Sequence, residues 1–228
     1  MKKNFFALLL VAVSLVGCRS YSALESTPVA QLPGKLPAME LLLDEQSFAT
    51  VAGYGDHETT GATLMPVLGG GYYAALGVAL TESSTRSYAS ADLNNIKSLY
   101  LNNMYNNIIT KIGEKKGAVV CRLVAGKDKP NYGFTVLSGF TLCVPNLFGM
   151  PFASNSTTMM VEMDFLDANN NVVATYQSKE HKVKKYAAMY WGYDDPSEVT
   201  IAETFKLCLE DINAQIKSDY AQLNALFQ

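Results

Sequence analysis

Toward the C-terminus, apolar residues recur at three- and four-residue spacings: Ile201, Phe205, Cys208 and Leu209, Ile212, Ile216, Tyr220, Leu223 and Phe227. Only a helix, at 3.6 residues per turn, gathers such positions on one face, so the spacing predicts a long amphipathic helix. Asp195-Pro196-Ser197-Glu198 opens it with a capping carboxylate, a proline at the first helical position and an acid in the first turn. Leu93, Ile96, Leu99, Tyr100, Met104, Ile108 and Ile112 predict a second helix, capped by Ser90 or Asp92 and ending near Gly113. Between the two helices the period changes to two. Met159, Val161, Met163 and Phe165 alternate with Met160, Glu162 and Asp164, the pattern of a strand. Asp167-Ala-Asn-Asn-Asn171 is turn chemistry, and Val172–Ser178 returns as a second strand with an extension toward Val183. Ala118–Ala125 is an apolar run suited to a strand buried on both faces, and Ala38–Phe48 alternates as a first strand. The order predicts an α+β domain, a mostly antiparallel sheet with helices packed on one face.

Two apolar stretches fit neither period cleanly. Gly61–Thr81 carries no charge and contains Pro66 and Gly69-Gly70-Gly71. Gly71, Ala75 and Ala79 lie four apart, as in close helix contacts, a pattern that admits a homo-oligomer. Tyr72, Ala74, Leu76, Val78 and Leu80 alternate as in a strand. Because proline and glycine interrupt any span, the expectation is a core hairpin or helix; the alternative is a membrane-active or oligomerising segment. Pro130–Val161 is also uncharged, and Pro145 and Pro151 forbid one continuous span. It is a candidate hydrophobic contact surface.

The N-terminus reads as an address. Lys2 and Lys3 precede the apolar run Phe5–Val13, too short for the roughly 20 residues of a bilayer span. Leu15-Val16-Gly17-Cys18 follows, and resembles the lipobox of bacterial lipoprotein precursors. The resemblance implies cleavage before Cys18 and acylation of its thiol with palmitate-type chains, where an ordinary secretory signal with an incidental Cys is the alternative. The expected organisation is a signal peptide over 1–17, a flexible lipidated tether rich in Ser and Pro over 18–37, and one α+β domain over 38–228. Arg19, where Asp would signal inner-membrane retention in that family, points to the outer membrane, facing the periplasm.

Composition narrows the function. A net charge of −3 with 17% charged and 49% hydrophobic residues excludes global disorder and gives no bulk attraction to nucleic acid. An acidic body does not adhere to anionic lipid by net charge, so attachment falls to acyl chains. His57 and His181 are the sole imidazoles, and neither sits in a nucleophile motif. His181 lies in a charged strand extension and is expected to be solvated; His57, between Asp56 and Glu58, is expected in a loop rather than on a cation. Asp167, Asn169 and Asn171 begin like a calcium loop, but Val172 and Ser178 stand where that loop needs Gly and Glu. No metal, cofactor or catalytic residue is expected. Cys121, Cys143 and Cys208 are expected as small buried hydrophobes. Tyr186, Tyr190, Trp191 and Tyr193 form the densest aromatic patch, either a partner-binding surface or a cap over the sheet's end.

In feature order the chain resembles small bacterial envelope lipoproteins. The resembling stretches are Leu15–Cys18, the helix from Asp92, Gly117–Leu123, Ser138-Gly-Phe-Thr-Leu142 with Gly149-Met-Pro151, the hairpin Phe165–Tyr176 and the last helix. In layout it is similar to curli-secretion-type and penicillin-binding-protein-activator lipoproteins, whose α/β domains look like the amino-terminal domain of TolB. The resemblance implies non-enzymatic work in assembly, scaffolding or auxiliary transport. The expected function is that of a lipid-anchored envelope protein that binds a protein partner. The alternative is a carrier for apolar ligands, with a pocket formed by residues 64–80 and 134–152.

Overall fold

The computed structural model describes residues 32–48, 62–63, 79–80, 89–141, 143–188, 191–193 and 196–227. Along the chain run β1 (Glu40–Leu43), a helical turn α1 (Glu45–Phe48), the short strands β2 (Ala62–Thr63) and β3 (Ala79–Leu80), and α2 (Ala89–Asn103). Helix α2 continues into a π-helical turn, Met104–Ile108. Then come β4 (Gly117–Asn131), α3 (Gly133–Phe140), α4 (Val144–Leu147), β5 (Ala153–Asp167), β6 (Val172–Gln177), β7 (His181–Ala187) and α5 (Pro196–Leu226).

The main sheet has five strands in the order β1-β4-β5-β6, with β7 also on β5. Strand β1 is parallel to β4, and every other pairing is antiparallel. β6 and β7 occupy successive stretches of one edge of β5, so together they form one broken strand. Two of the breaks in register lie at the same level, and a third, between Phe165↔Ala174 and Leu166↔Val172, lies beside the hairpin turn. Val124 is an extra residue between Leu123↔Val161 and Ala125↔Met160. Across β5, Ser178, Lys179 and Glu180 face the two residues Met160 and Val161. An extra residue on each flank bends the sheet there. Ser178 holds the break: its N–H donates to the Val161 carbonyl at 2.8 Å, and its hydroxyl accepts the Val161 N–H at 3.0 Å. At the opposite end Gly117 lies so close to β5 that a Cβ would sit 2.0 Å from the Leu166 carbonyl oxygen.

Below the bend the inner face is apolar. Val161, Met163 and Phe165 there, and Met159 just above the bend, are fully buried, with Phe205, Cys208, Ile212 and Ile216 of α5 and Ile96 and Tyr100 of α2 in the same core. These are the faces that the two periodicities predict. Beyond Met159, from Thr157 on, the interface with α5 is polar. The Asp128 carboxylate accepts hydrogen bonds from Asn155 Nδ2 and Thr157 Oγ1, both 2.6 Å, and from Ser197 Oγ at 3.2 Å. An acceptor beside the first turn of α5 is favoured by the helix dipole.

Several boundaries differ from expectation. Strand β4 runs six residues beyond Ala125, because Gly126, Asp128 and Pro130 face this polar interface and give no hydrophobic signal. Ile112 is 85% exposed. The helix ends earlier because the π turn, closed by Ile109 N–H to the Met104 carbonyl at 2.9 Å, turns Ile109 inward to bridge Leu36. Leu36 is fully buried, so the folded body begins within the stretch expected as tether. β1 is shorter than the alternation suggests and ends at Asp44, whose carbonyl accepts the Ser47 N–H at 3.1 Å. The ends of the Gly-rich segment pair as Ala62↔Leu80 and Thr63↔Ala79. Residues 64–78, which hold most of that segment and half of the carrier pocket, lie outside the described residues. The Asn170 φ of +62° confirms the turn chemistry of the hairpin, where Asp167 Oδ1 accepts the N–H groups of Asn169 and Asn171 at 2.8 and 2.9 Å.

Candidate functional site

The connection between β4 and β5 is built inside out. On α3, Val136, Leu137 and Phe140 occupy the outer face while Ser138 is buried; on α4, Val144 and Leu147 face outward while Asn146 is buried. Phe140 is 70% and the adjoining Phe148 87% exposed. A helix of a water-soluble body normally does the reverse. The buried donors bond locally: Ser138 Oγ donates to the Phe134 carbonyl at 2.7 Å, and Asn146 Nδ2 to the Met150 carbonyl at 3.0 Å, while Asn146 Oδ1 has no partner among the described residues. Thr135 Oγ1 ties α3 to the Phe152 carbonyl at 2.7 Å. Between the helices Cys143 takes a left-handed φ of +60°, and its N–H closes on the Ser138 carbonyl at 2.7 Å. Cys143 is exposed, against the expectation that all three cysteines are buried; Cys121 and Cys208 are buried and free.

The aromatic patch holds this pair in place. Tyr186 packs between Phe134 (ring centroids 6.4 Å apart) and Trp191 (5.9 Å). Trp191 Nε1 donates to the Gly149 carbonyl at 2.9 Å, and Gly149, at φ +94°, makes the turn out of α4. Tyr193 lies under the Lys185 ammonium at 5.5 Å. Tyr186 and Tyr193 are therefore half-buried supports, as a cap over the sheet's end requires, while Trp191 is partly exposed beside the outward side chains of α3 and α4. Tyr190 lies outside the described residues, as do Leu15, Val16, Gly17, Cys18, Asp195 and His57.

Below the aromatic cluster the outer face of the sheet is basic and, among the described residues, exposed at its lysines. The registers set Tyr186, Ser154 and Asn131 in one row, then Lys184, Ser156 and Lys129, then Lys182, Thr158 and Lys127. Lys184 Nζ stands 5.0 Å from the Tyr186 ring centre. Among the described residues none of the four lysines is in an ion pair. The acids of this face lie below the bend, where Arg122 binds Glu162 and reaches Asp164 at 3.1 Å.

The chemistry-bearing side chains elsewhere have structural duties. His181 is not solvated: its Nε2 lies 2.8 Å from Asp211 Oδ2, and the Lys179 N–H reaches the same oxygen at 3.1 Å, which fastens β7 to α5. Burial works against the Asp211 anion, but the bonds and charges of His181 and Lys179 outweigh it and hold the carboxyl below its ordinary value. Burial pushes the Cys208 thiol up to about 11, so it is a poor nucleophile at neutral pH. Among the described residues no three His, Cys, Asp or Glu side chains gather as metal ligands would, and no helix is long and apolar enough to cross a membrane. Val136, Leu137, Phe140, Val144, Leu147 and Phe148 turn outward, whereas the carrier alternative needs them around an enclosed pocket.

No family model and no curated protein matches the chain. Among solved structures it is similar to a "putative lipoprotein" from Caulobacter crescentus CB15, at 11% identity and a TM-score of 0.29, with 60% of this chain and 83% of that chain covered. It is also similar to a Xanthomonas campestris protein of the family model DUF330, at 10% identity and a TM-score of 0.32, with 88% and 94% covered.

Proposed function

We propose that this chain is a lipid-anchored protein of the bacterial cell envelope, acylated at Cys18, facing the periplasm from the outer membrane, with a non-enzymatic binding role. The anchor is supported by the signal-like run and the Leu15–Cys18 box. The observation that carries the binding role is the inverted helix pair, with Phe140 and Phe148 outermost and Ser138 and Asn146 innermost. A contiguous apolar face held in place by an aromatic clamp is a contact surface, since exposing it to water alone is unfavourable.

Two measurements on the full-length protein test the reading. Metabolic labelling with a fatty-acid analogue should mark the wild type and not Cys18→Ser; equal labelling of both overturns the anchor. A photo-crosslinking residue at position 148 should capture a discrete adduct in cells, lipid or protein, whereas one at the exposed Glu114 should not. Absence of any adduct specific to position 148 overturns the binding surface.

A further inference from the structure

We infer that the occupant of this surface is the headgroup region of an anionic phospholipid membrane, against which α3 and α4 insert their apolar face while the lysine grid engages the phosphates. The inference rests on the binding role proposed above and names its partner.

Three independent features converge. Residues 130–161 contain no charge, so the apolar face carries nothing that resists entry into the acyl boundary. Trp191 and Tyr186 stand beside it, Trp191 partly exposed with its N–H bonded to the Gly149 carbonyl and Tyr186 half-buried against it, as aromatic side chains do at a bilayer interface. Lys127, Lys129, Lys182 and Lys184 project from the same end of the open face, the nearest row one same-face step, about 7 Å, below Tyr186. Four like charges around Ser156 and Thr158 repel one another in the free protein, and an anionic surface reverses that cost. The net negative charge of the chain does not oppose this, because the outer-face acids sit beyond the bend on Arg122. A protein groove accounts for the apolar helices but leaves the lysines unexplained.

The geometry of attachment agrees. The chain enters the fold at the Gly117 end, where the Lys116 N–H donates to the Ala38 carbonyl, and the helix pair lies at the Asn131 end. Strands of 15 residues at about 3.3 Å each separate the two ends by roughly 50 Å. The chain from Cys18 to Leu32 reaches at most about the same distance. A body lying along the membrane, open face down and α5 outward, therefore satisfies anchor and helix pair together.

Trp191 is the single tryptophan, so its fluorescence reports this site alone. The full-length protein purified from cells is reconstituted in vesicles of phosphatidylcholine, or of phosphatidylcholine with phosphatidylglycerol, each with brominated acyl chains. The expected result is strong quenching of Trp191 in the phosphatidylglycerol vesicles, weaker quenching in phosphatidylcholine, and loss of the difference at high salt. Each Lys→Gln change in the grid should weaken docking about fivefold, and Phe140→Asp with Phe148→Asp should abolish it without changing the circular dichroism. Absence of quenching in both vesicles, or equal quenching that ignores the lysines, overturns the inference. If Trp191 is unquenched while position 148 captures a protein in cells, the membrane inference fails and the binding role stands; if neither signal appears, both fail.

Discussion

Asn103 and Asn213 donate their side-chain amides to each other, at 3.0 Å from Asn103 Nδ2 to Asn213 Oδ1 and 2.9 Å in return. Both are buried, and Asn107 Nδ2 adds a third bond to Asn103 Oδ1 at 2.8 Å. This reciprocal pair joins α2 to α5 immediately before the π turn. A leucine at either position leaves a buried amide without its partner. Asn103→Leu and Asn213→Leu should each destabilise by about 1–3 kcal/mol, and the double variant by less than the sum, because it removes both amides. Denaturant unfolding of the three variants decides. Additive losses would mean that the two amides do not depend on each other.

Phe205 lies at the centre of the core, fully buried, with its ring edge-on to Phe48 at 5.7 Å between centroids. Phe205→Ala should destabilise by about 3–5 kcal/mol through lost burial and the cavity left behind. Phe148→Asp, at the most exposed aromatic of α4's end, should stay within about 0.5 kcal/mol of wild type. Thermal melts that rank the two the other way would show that α3 and α4 are part of the core rather than a surface on it.

These two phenylalanines mark what was legible. The spacing from Ile201 to Phe227 and the alternation from Met159 to Phe165 report burial directly, because both elements press one face on an apolar core. The same reading fails where burial is not apolar. Lys127-Asp128-Lys129 continues β4, but its inward residue is a carboxylate in a hydrogen-bonded network. His181 looks like one more charge in a charged run, and only the fold brings Asp211, thirty residues on, to its ring. The uncharged stretch after Pro130 announces a contact surface. Which way its side chains point depends on Ser138 and Asn146 finding backbone carbonyls inside, and no periodicity records that.

Acid should unfasten β7 from α5. The Asp211 carboxyl ionises below its ordinary value in the folded chain, against about 3.9 when unfolded. A depressed folded value gives stability that is fully present above the unfolded one and is lost as pH falls through the folded one. Asp211→Asn should therefore be less stable than wild type near neutrality, and the gap should close as pH falls below the ordinary carboxylate range. A gap that persists unchanged into acid would mean that Asp211 acts through packing and not through its charge.

The extra residue at Val124 sets which face the lysines take. Side chains alternate along a strand, so deleting one residue moves everything beyond it to the opposite face. Without Val124, Lys127 and Lys129 turn inward toward α5, and Asp128 turns out of its bonds to Asn155, Thr157 and Ser197. Charged ammonium groups have no partners there, and Asn155 and Thr157 lose their acceptor, so the upper half of the sheet should open while the apolar lower half holds. Hydrogen exchange reads the two halves separately. Deletion of Val124 should strip protection from the amides of Lys127, Lys129 and Asn131 and leave Val119, Cys121 and Leu123 protected. Full protection of both halves would show that the register above the bend adjusts freely, and that the lysine grid does not depend on the bulge.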